Sequence, residues 1–465
     1  MAPVLDLTVL EPHNSRLRQM LASGSAETAA YMLLGVSDIA SDPWTGRART
    51  RLVSHQFRDI ESTAFVSTSA EHVTWSTAGY MRLLCDALTA GLVPAIVHTH
   101  PGSTAFFSEQ DTANETKLAR TAAVKGVLGL VSIVLGGDGS IRARLWRGDA
   151  PPVDAVNVQR VGGRFTRWTM DAAVAANTEH LDRQARLFGL SFNPTLRGLR
   201  IAIVGLGGTG SAVAMLLARL GVGYLLLLDD DVVETSNLNR VHGSRRSDVD
   251  ELLAKVSLAE REIAAAGLGT QVVTRKAWAN SREMRDAIKS CDFVFGCTDD
   301  HSGRAMLNRL AYYYGIPVID VGLRMAAARD GHDINGRVTT LSPGRPCLLC
   351  SGVINPRRAA EEALERADPE EFSKRKAEAY VIGAGDPAPA VVTFTTEMAC
   401  VAVNEMVDAI TGYRGPDGMI PNHIRRFHAG DDRSLAPKRN DGCPVCVGTS
   451  AWGRADTDPF LGIMG

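Results

Sequence analysis

Three observations predict an α/β chain built of more than one unit. The chain has 465 residues, enough for two or more domains. Residues 92–97 form a short apolar run that reads as a buried strand, and a polar–apolar helical pattern follows from Ser108. Residues 199–204 form a second such strand, which a glycine-rich turn joins to a helix over 212–220. Strand-to-helix steps of this kind belong to sheets covered by helices.

Composition narrows the function classes. Net charge is −2 and there is no long basic block, so nucleic acid is not an expected partner. The first residues lack a basic-then-apolar pattern, so no secretory signal is expected. The longest apolar run, 127–137, is too short to span a bilayer, and no membrane is expected. Four of the eight cysteines form two Cys-x-x-Cys pairs, which suits metal in a reducing cytosol better than disulfides. A cytoplasmic enzyme is therefore expected.

In order along the chain, residues 1–150 make the first unit, ending in strands 126–135 and 141–146 around a Gly-Gly-Asp-Gly turn. Residues 151–178 read as a linker leading into a helix centred on 169–187, and 179–465 make the second unit. The charged segment 356–378 reads as an exposed helix or a mobile excursion.

The first unit carries a metal-ligand pattern. His98 and His100 are two apart at a strand end, so both face one side. Ser108 reads as a helix N-cap, which puts Asp111 in the first turn, able to reach back. His98, His100 and Asp111 would hold zinc through three ligands and leave a fourth position for water. Two histidines alone would fit an ordinary capped helix; the whole string argues against that.

This string resembles the JAMM (JAB, MPN) metalloprotease motif, whose members hydrolyse amide bonds at the C-terminus of ubiquitin or ubiquitin-like proteins. The resemblance implies a cytidine-deaminase-like α/β domain and an upstream glutamate acting as general base. Residues 25–35 resemble the segment that supplies it, with one inner glycine replaced and one residue added. Glu27 is then the candidate base, with Glu61 and Glu71 as rivals. Ser108 would steady the oxyanion.

The second unit starts as a phosphate cradle. Gly205, Gly207, Gly208 and Gly210 lie between strand and helix, where backbone can approach an anion. A strand over 224–228 ends in Asp229 and Asp231, placed to meet a ribose. Alone, this fits a dinucleotide dehydrogenase equally well. The residues that follow are Ser236–Asn237–Leu238–Asn239–Arg240, Lys255 and Cys297–Thr298–Asp299–Asp300. Together they resemble the adenylating domain shared by ubiquitin-activating enzymes, MoeB and ThiF, a Rossmann-like doubly wound fold. The resemblance implies that Asp229 holds the ribose, Asn237, Arg240 and Lys255 grip the triphosphate of ATP, and Asp299 holds Mg2+. It also implies a homodimer in which Arg183 reaches the partner subunit's nucleotide. Bringing a carboxylate to the α-phosphate sets anion against anion, which explains so many cations.

Cys347, Cys350, Cys443 and Cys446 suffice for a closed, structural zinc site; a redox role is the other reading. Relatives that pass their substrate to a thiol carry a cysteine in the crossover region, but residues 379–386 contain none. Cys400 reads as buried and inert on an amphipathic helix, and Cys85, Cys291 and Cys297 as core or strand-end residues. Thr393, Thr395 and Thr396 are hydroxyls near that region and read as ordinary structural residues.

The sequence thus implies a bifunctional enzyme. A zinc peptidase would trim or release a ubiquitin-like protein, and an adenylyltransferase would activate its C-terminal glycine. The setting would be a bacterial ubiquitin-like conjugation pathway with a conjugating enzyme as partner, of the kind that serves antiviral defence. The alternative is activation of a sulfur-carrier protein to a thiocarboxylate, with a sulfur donor as partner; a scaffold without catalysis is a third reading.

Overall fold

The computed structural model describes residues 3–22, 24–69, 72–170, 179–279, 281, 284–329, 331–377, 389–435, 437–447 and 450–457. The first sheet contains β1 (Val4–Leu10), β2 (Ala29–Ile39), β3 (Arg49–Asp59), β6 (Val93–His100), β7 (Leu130–Gly136), β8 (Ile141–Trp146), β9 (Val153–Asp154), β10 (Asn157–Val161) and β11 (Phe165–Thr169). Its order is β11-β10-β1-β3-β2-β6-β7-β8-β9. The ribbon of β4 (Phe65–Thr68) and β5 (Val73–Trp75) stands apart from it. Helix α1 (Glu11–Ala22) packs Leu17 with Leu7, Leu52 and Val97 in one core. Helices α2 (Ala78–Ala90) and α3 (Glu109–Val124) set Leu84 and Ala122 against Leu33, Ile96 and Leu130 in another. Both faces of the sheet are thus covered, which is why β6 and β7 are buried along their whole length.

The second sheet has the order β14-β13-β12-β15-β16-β17-β18-β19. Its members are β12 (Arg200–Val204), β13 (Tyr224–Leu228), β14 (Gln271–Arg275), β15 (Phe293–Gly296), β16 (Val318–Ala328), β17 (Gly331–Leu341), β18 (Asn422–Arg426) and β19 (Asp431–Ser434). Strands β14 to β16 pair in parallel and the rest antiparallel. Short helices α4 (Asp182–Phe188) and α5 (Phe192–Gly198) precede β12, and α6 (Gly208–Arg219) follows it. Then come α7 (Arg246–Asp250), α8 (Lys255–Ala266), α9 (Arg285–Lys289), α10 (His301–Tyr313), α11 (Pro356–Ala367), α12 (Pro369–Ala377) and α13 (Val392–Thr411). Residues of α6, α8 and α13 share one core with β12 and β13. Those of α9 and α10 share a second core, which also takes in Leu10 and Val53 of the first sheet.

Several expectations need correction. Residues 151–169 are not a linker: they form three strands, and β10 pairs in parallel with β1 inside the first sheet. Polar pairing hides the strand signal there, because Asn157 donates to Asp6 (2.8 Å) and buried Gln159 donates to Thr8 (3.0 Å). Thr169 ends a strand rather than entering a helix, helix α4 begins only at Asp182, and 171–178 lie outside the described residues. Cys85 is exposed on α2 and Cys400 is half-buried, so neither is a core thiol, whereas Cys291 is buried. The charged segment does form helices, and α11 has no buried residue.

The junction between the sheets is ionic and buried. Arg51 is 2% exposed, yet its guanidinium reaches the Cys291 carbonyl (2.7 Å) and Asp292 (3.3 Å) of the second unit. Asp292 also pairs with Arg167 and accepts from the Arg200 backbone N–H (3.0 Å). Asp42 pairs with Arg49 (2.9 Å) and with Arg200 across the junction (3.6 Å). The C-terminal stretch joins both units: Gly453 donates to Tyr312, and Ala455 bridges to Val36 of β2. Gly35 permits that approach, since a Cβ there would sit 2.1 Å from the Gly453 carbonyl oxygen.

Candidate active sites and metal centres

In the first unit, β6 ends in His98 and His100, both below 10% exposed. Ser108 caps α3: its Oγ accepts from the Asp111 N–H (3.1 Å), and Asp111 accepts in return from the Ser108 N–H (2.8 Å) and hydroxyl (2.7 Å). That box turns Asp111 toward the histidines. His98 Nε2 lies 3.3 Å from one Asp111 oxygen and His100 Nε2 lies 3.8 Å from the other.

Glu27 arrives through strand register. Ala29 pairs with His98, and the Thr99 N–H donates to the Thr28 carbonyl, so Glu27 stands beside His100 (3.6 Å, Oε1 to Nε2). Of the rivals, Glu61 is exposed and does not line this cleft, and Glu71 lies outside the described residues. The cleft holds about 430 Å³, with Trp75, Ile96, Phe106 and Leu118 as apolar wall.

These residues fit a zinc ion. Ligand atoms around tetrahedral zinc lie about 3.3 Å apart for nitrogen and oxygen. The donors of His98, His100 and Asp111 lie within 4.8 Å of one another. His98 Nε2 is buried with the Asp111 carboxylate beside it (3.3 Å) in poor hydrogen-bond geometry, an arrangement that a shared cation would satisfy. Burial alone would raise the Asp111 carboxyl, but His98 and Ser108 overrule it and hold it far below the usual carboxylate range. Burial, then the neighbouring His98, pushes the His100 imidazole toward its neutral, ligating form.

Sequence reasoning missed what fixes this helix. Glu115, one turn beyond Asp111, is 2% exposed and accepts from Arg144 (2.7 Å) and from the Trp146 indole (2.8 Å). The Arg144 guanidinium lies over Phe107 (3.8 Å), and Phe106 packs edge-on against His100 (4.8 Å). The i, i+4 spacing of Asp111 and Glu115 was visible, but the partner on β8 was not.

In the second unit, Gly205 takes a left-handed φ of +88°, and a Cβ on Gly210 would lie 1.8 Å from the Gly205 carbonyl oxygen. Gly207 caps α6, and Gly205, Gly207 and Gly208 line a cleft of about 420 Å³ with Asp229, Lys255 and Asp299. Asp231 and Arg240 line it too. Asp229 accepts from the Leu206 N–H (2.5 Å) and the Asp231 N–H (2.9 Å), while burial raises its carboxyl. Lys255, at the start of α8, pairs with Asp231 (2.6 Å). Arg304 donates to the Asp299 carbonyl (3.2 Å), and Arg366 stacks on Trp278 (4.4 Å) at the same cleft. Neither Arg304 nor Arg366 was singled out in the sequence.

Two further candidates, Asn237 and Arg183, do not line this cleft within the single chain. Asn237 is 5% exposed and does not line the cleft; its side chain accepts from the Glu234 N–H (3.1 Å) and shapes the turn before Arg240. Arg183 is exposed on α4, away from the cleft of its own chain. The stretch 379–386 lies outside the described residues.

Cys347, Cys350, Cys443 and Cys446 come together with all four sulfurs within 4.8 Å. Cys347 and Cys443 are 3.5 Å apart, Cys350 and Cys446 3.4 Å. Thiolates on tetrahedral zinc lie about 3.8 Å apart, so the donor set fits zinc with no open position. A hydrogen bond from Cys446 draws the Cys347 thiol down to about 5, toward thiolate.

The two halves of the chain form a fused architecture, one α/β unit around the His98–His100–Asp111 cleft and a second around the glycine-turn cleft. A model of the prokaryotic homologues of the JAB domain matches residues 12–148, and a model of the ThiF family matches 181–445, so the chain belongs to the ThiF family and carries a JAB domain ahead of it. The sulfur carrier protein ThiS adenylyltransferase of Escherichia coli (strain K12) is 28% identical over 54% of this chain and 87% of its own length. The molybdopterin-synthase adenylyltransferase of Salmonella typhimurium (strain LT2) is 33% identical over 57% of this chain and 94% of its own. The SAMP-activating enzyme E1 of Haloferax volcanii is 31% identical over 32% of this chain and 52% of its own. Among solved structures, E. coli MccB with ATP aligns at 19% identity and a TM-score of 0.44, covering 58% of this chain and 75% of that one. No described helix is long and apolar enough to cross a membrane.

Proposed function

We propose that the chain is a bifunctional enzyme acting on the C-terminus of a ubiquitin-like protein. Its JAB half cleaves an amide bond there, by precursor trimming or deconjugation, and its ThiF half adenylates the terminal glycine carboxylate with ATP. The reading places it in a bacterial ubiquitin-like conjugation pathway. The observation that carries it is Glu27, standing 3.6 Å from His100 in the same cleft as His98 and Asp111. That set supports a hydrolytic reading, and it shares a chain with a ThiF-family domain.

In the first cleft, His98, His100 and Asp111 would hold zinc, which when bound supplies Lewis acidity and a water of lowered pKa. Glu27 Oε1 takes the proton from the attacking water and returns it to the leaving amine. Ser108 holds Asp111 in place and offers its hydroxyl toward the developing oxyanion.

In the second cleft, the glycine turn and the N-terminus of α6 receive phosphate through backbone N–H groups. The substrate carboxylate attacks the α-phosphorus, a P–O bond forms, and pyrophosphate leaves. Lys255 turns from Asp231 to the triphosphate, Arg240 joins it, and Asp229 meets the ribose. Asp299 would hold Mg2+, which when bound would supply positive charge against the triphosphate. Arg183 serves the nucleotide of a second copy in a homodimer.

Activation of a sulfur carrier to a thiocarboxylate is the second reading. The absence of cysteine from residues 379–386 favours it, since no thiol is offered there for a thioester. Mass spectrometry of candidate ubiquitin-like proteins incubated with the enzyme, ATP and Mg2+ tests both. Trimming together with an adenylate supports the bifunctional reading, a mass gain of one sulfur for oxygen supports the second, and an unmodified C-terminus sinks both.

A further inference from the structure

A further charged cleft, which shares no lining residue with either catalytic cleft, lies where the two units meet. It encloses about 500 Å³ between α1, the β10–β11 turn and the loops at 343–345 and 416–417. Arg18, Arg160, Arg164 and Arg345 line it, with Glu11 and Asp417 as its carboxylates. Four guanidinium groups against two carboxylates leave a net positive hollow.

Three of the four arginines, Arg160, Arg164 and Arg345, are oriented by neutral groups and not by a carboxylate. Arg345 donates to the Thr340 hydroxyl (2.7 Å) and the Asp417 carbonyl (3.3 Å). Arg164 donates to the carbonyls of Ala409 (3.2 Å) and Gly415 (3.2 Å). Neutral carbonyls orient a guanidinium without cancelling its charge. Arg160 lies over the Trp168 ring (4.3 Å) and donates one bond, to the Gly139 carbonyl (2.9 Å), while its buried Nε has no hydrogen-bond partner. Burial, then repulsion from Arg18, draws Arg160 down to about 10, and burial lowers Arg345 as well. Both effects would be relieved by an anion. Glu11 supplies a partial one: it pairs with Arg18 and accepts from the Ser15 hydroxyl (3.2 Å).

We propose that this junction cleft binds a small, multiply charged phosphate anion of the diphosphate class, with Arg160 and Arg18 as its principal ligands and Glu11 as the carboxylate it displaces. Arg164 and Arg345 fix the far wall. Because the cleft is walled by both units, occupancy would stiffen their mutual orientation. This assignment is independent of the reactions proposed above.

Titration calorimetry of the full chain with inorganic pyrophosphate tests it. The chain carries Arg240→Ala and Lys255→Ala, so that the nucleotide cleft does not contribute. One site is expected to remain, weakening with added salt. Arg160→Met should weaken it by about tenfold or more, as loss of a charge-assisted bidentate ligand does. Glu11→Gln, which leaves the arginines in place, should tighten it. Absence of pyrophosphate binding in the double-variant chain would overturn the assignment. So would affinity that Arg160→Met and Glu11→Gln both leave unchanged, and the second variant guards against loss of binding through misfolding in the first.

Discussion

Glu27 is the residue on which the proposed hydrolysis turns. Its carboxylate can take a proton only while ionised, and glutamine keeps its shape without that capacity. Glu27→Gln should therefore lower peptide cleavage by about 10²-fold or more while zinc content stays at the wild-type level; cleavage at the wild-type rate would remove Glu27 from the reaction. Asp299 offers the matching test in the other cleft. Asp299→Ala should abolish ATP–pyrophosphate exchange and leave cleavage intact, because the two clefts share no lining residue. At this scale the sequence was informative about ligands and poor about neighbours. His98, His100 and Asp111 were legible because strand alternation and a capping box fix them locally. Glu27 needed a borrowed pattern, since its place beside His100 depends on the register of β2 against β6. Asn237 is the case sequence could not place, because a polar side chain in that string can serve a turn as well as a ligand, and here it accepts from the Glu234 N–H.

At the scale of elements, α3 is a delivery device for Asp111. Its N-terminus is set by Ser108 and its first turns are tied to β8 through Glu115. Ser108→Ala removes one cap acceptor and one donor to Asp111. It should cost about 1 kcal/mol in urea unfolding and loosen zinc, read as a higher free-zinc concentration at half occupancy. The strands that escaped the sequence, β10 and β11, show why a boundary is the hardest thing to read. Asn157 and Gln159 pair with Asp6 and Thr8 of β1, so the strand has no apolar stripe to announce it. The glycine turn into α6, by contrast, was legible as far as its start, because Gly205 and Gly210 answer to local backbone geometry.

At the scale of the molecule, a buried ion-pair network lies where the units meet. Arg51 is buried against Asp292, and removing one partner of a buried pair typically costs 3–5 kcal/mol. Arg51→Met should lower the melting temperature, less than a lone pair would, because Arg167 and the Arg200 N–H still serve Asp292. The junction also carries a pH dependence. His13 bonds Ser54 (2.8 Å), and burial together with His55 pushes it down to about 4. An imidazole that is neutral when folded binds protons more readily when unfolded. Stability is then complete above pH 6.5 and falls as pH drops toward 4, by about 3 kcal/mol for this group. His13→Gln should flatten that part of the unfolding profile, and an unchanged slope would assign it to other groups.

Beyond the cysteine cluster, Gly453 and Ala455 donate to the Tyr312 and Tyr313 carbonyls, and Asp456 meets Val36, Lys289 and Tyr314. This stretch belongs to neither unit alone. Cutting the gene near residue 178 to obtain each activity separately would strip β2 of its C-terminal neighbour and leave Gly35 facing solvent. The two reactions are better separated by single substitutions in the intact chain than by dissection, and a chelator that empties the cysteine cluster would be expected to disturb the peptidase half as well as its own.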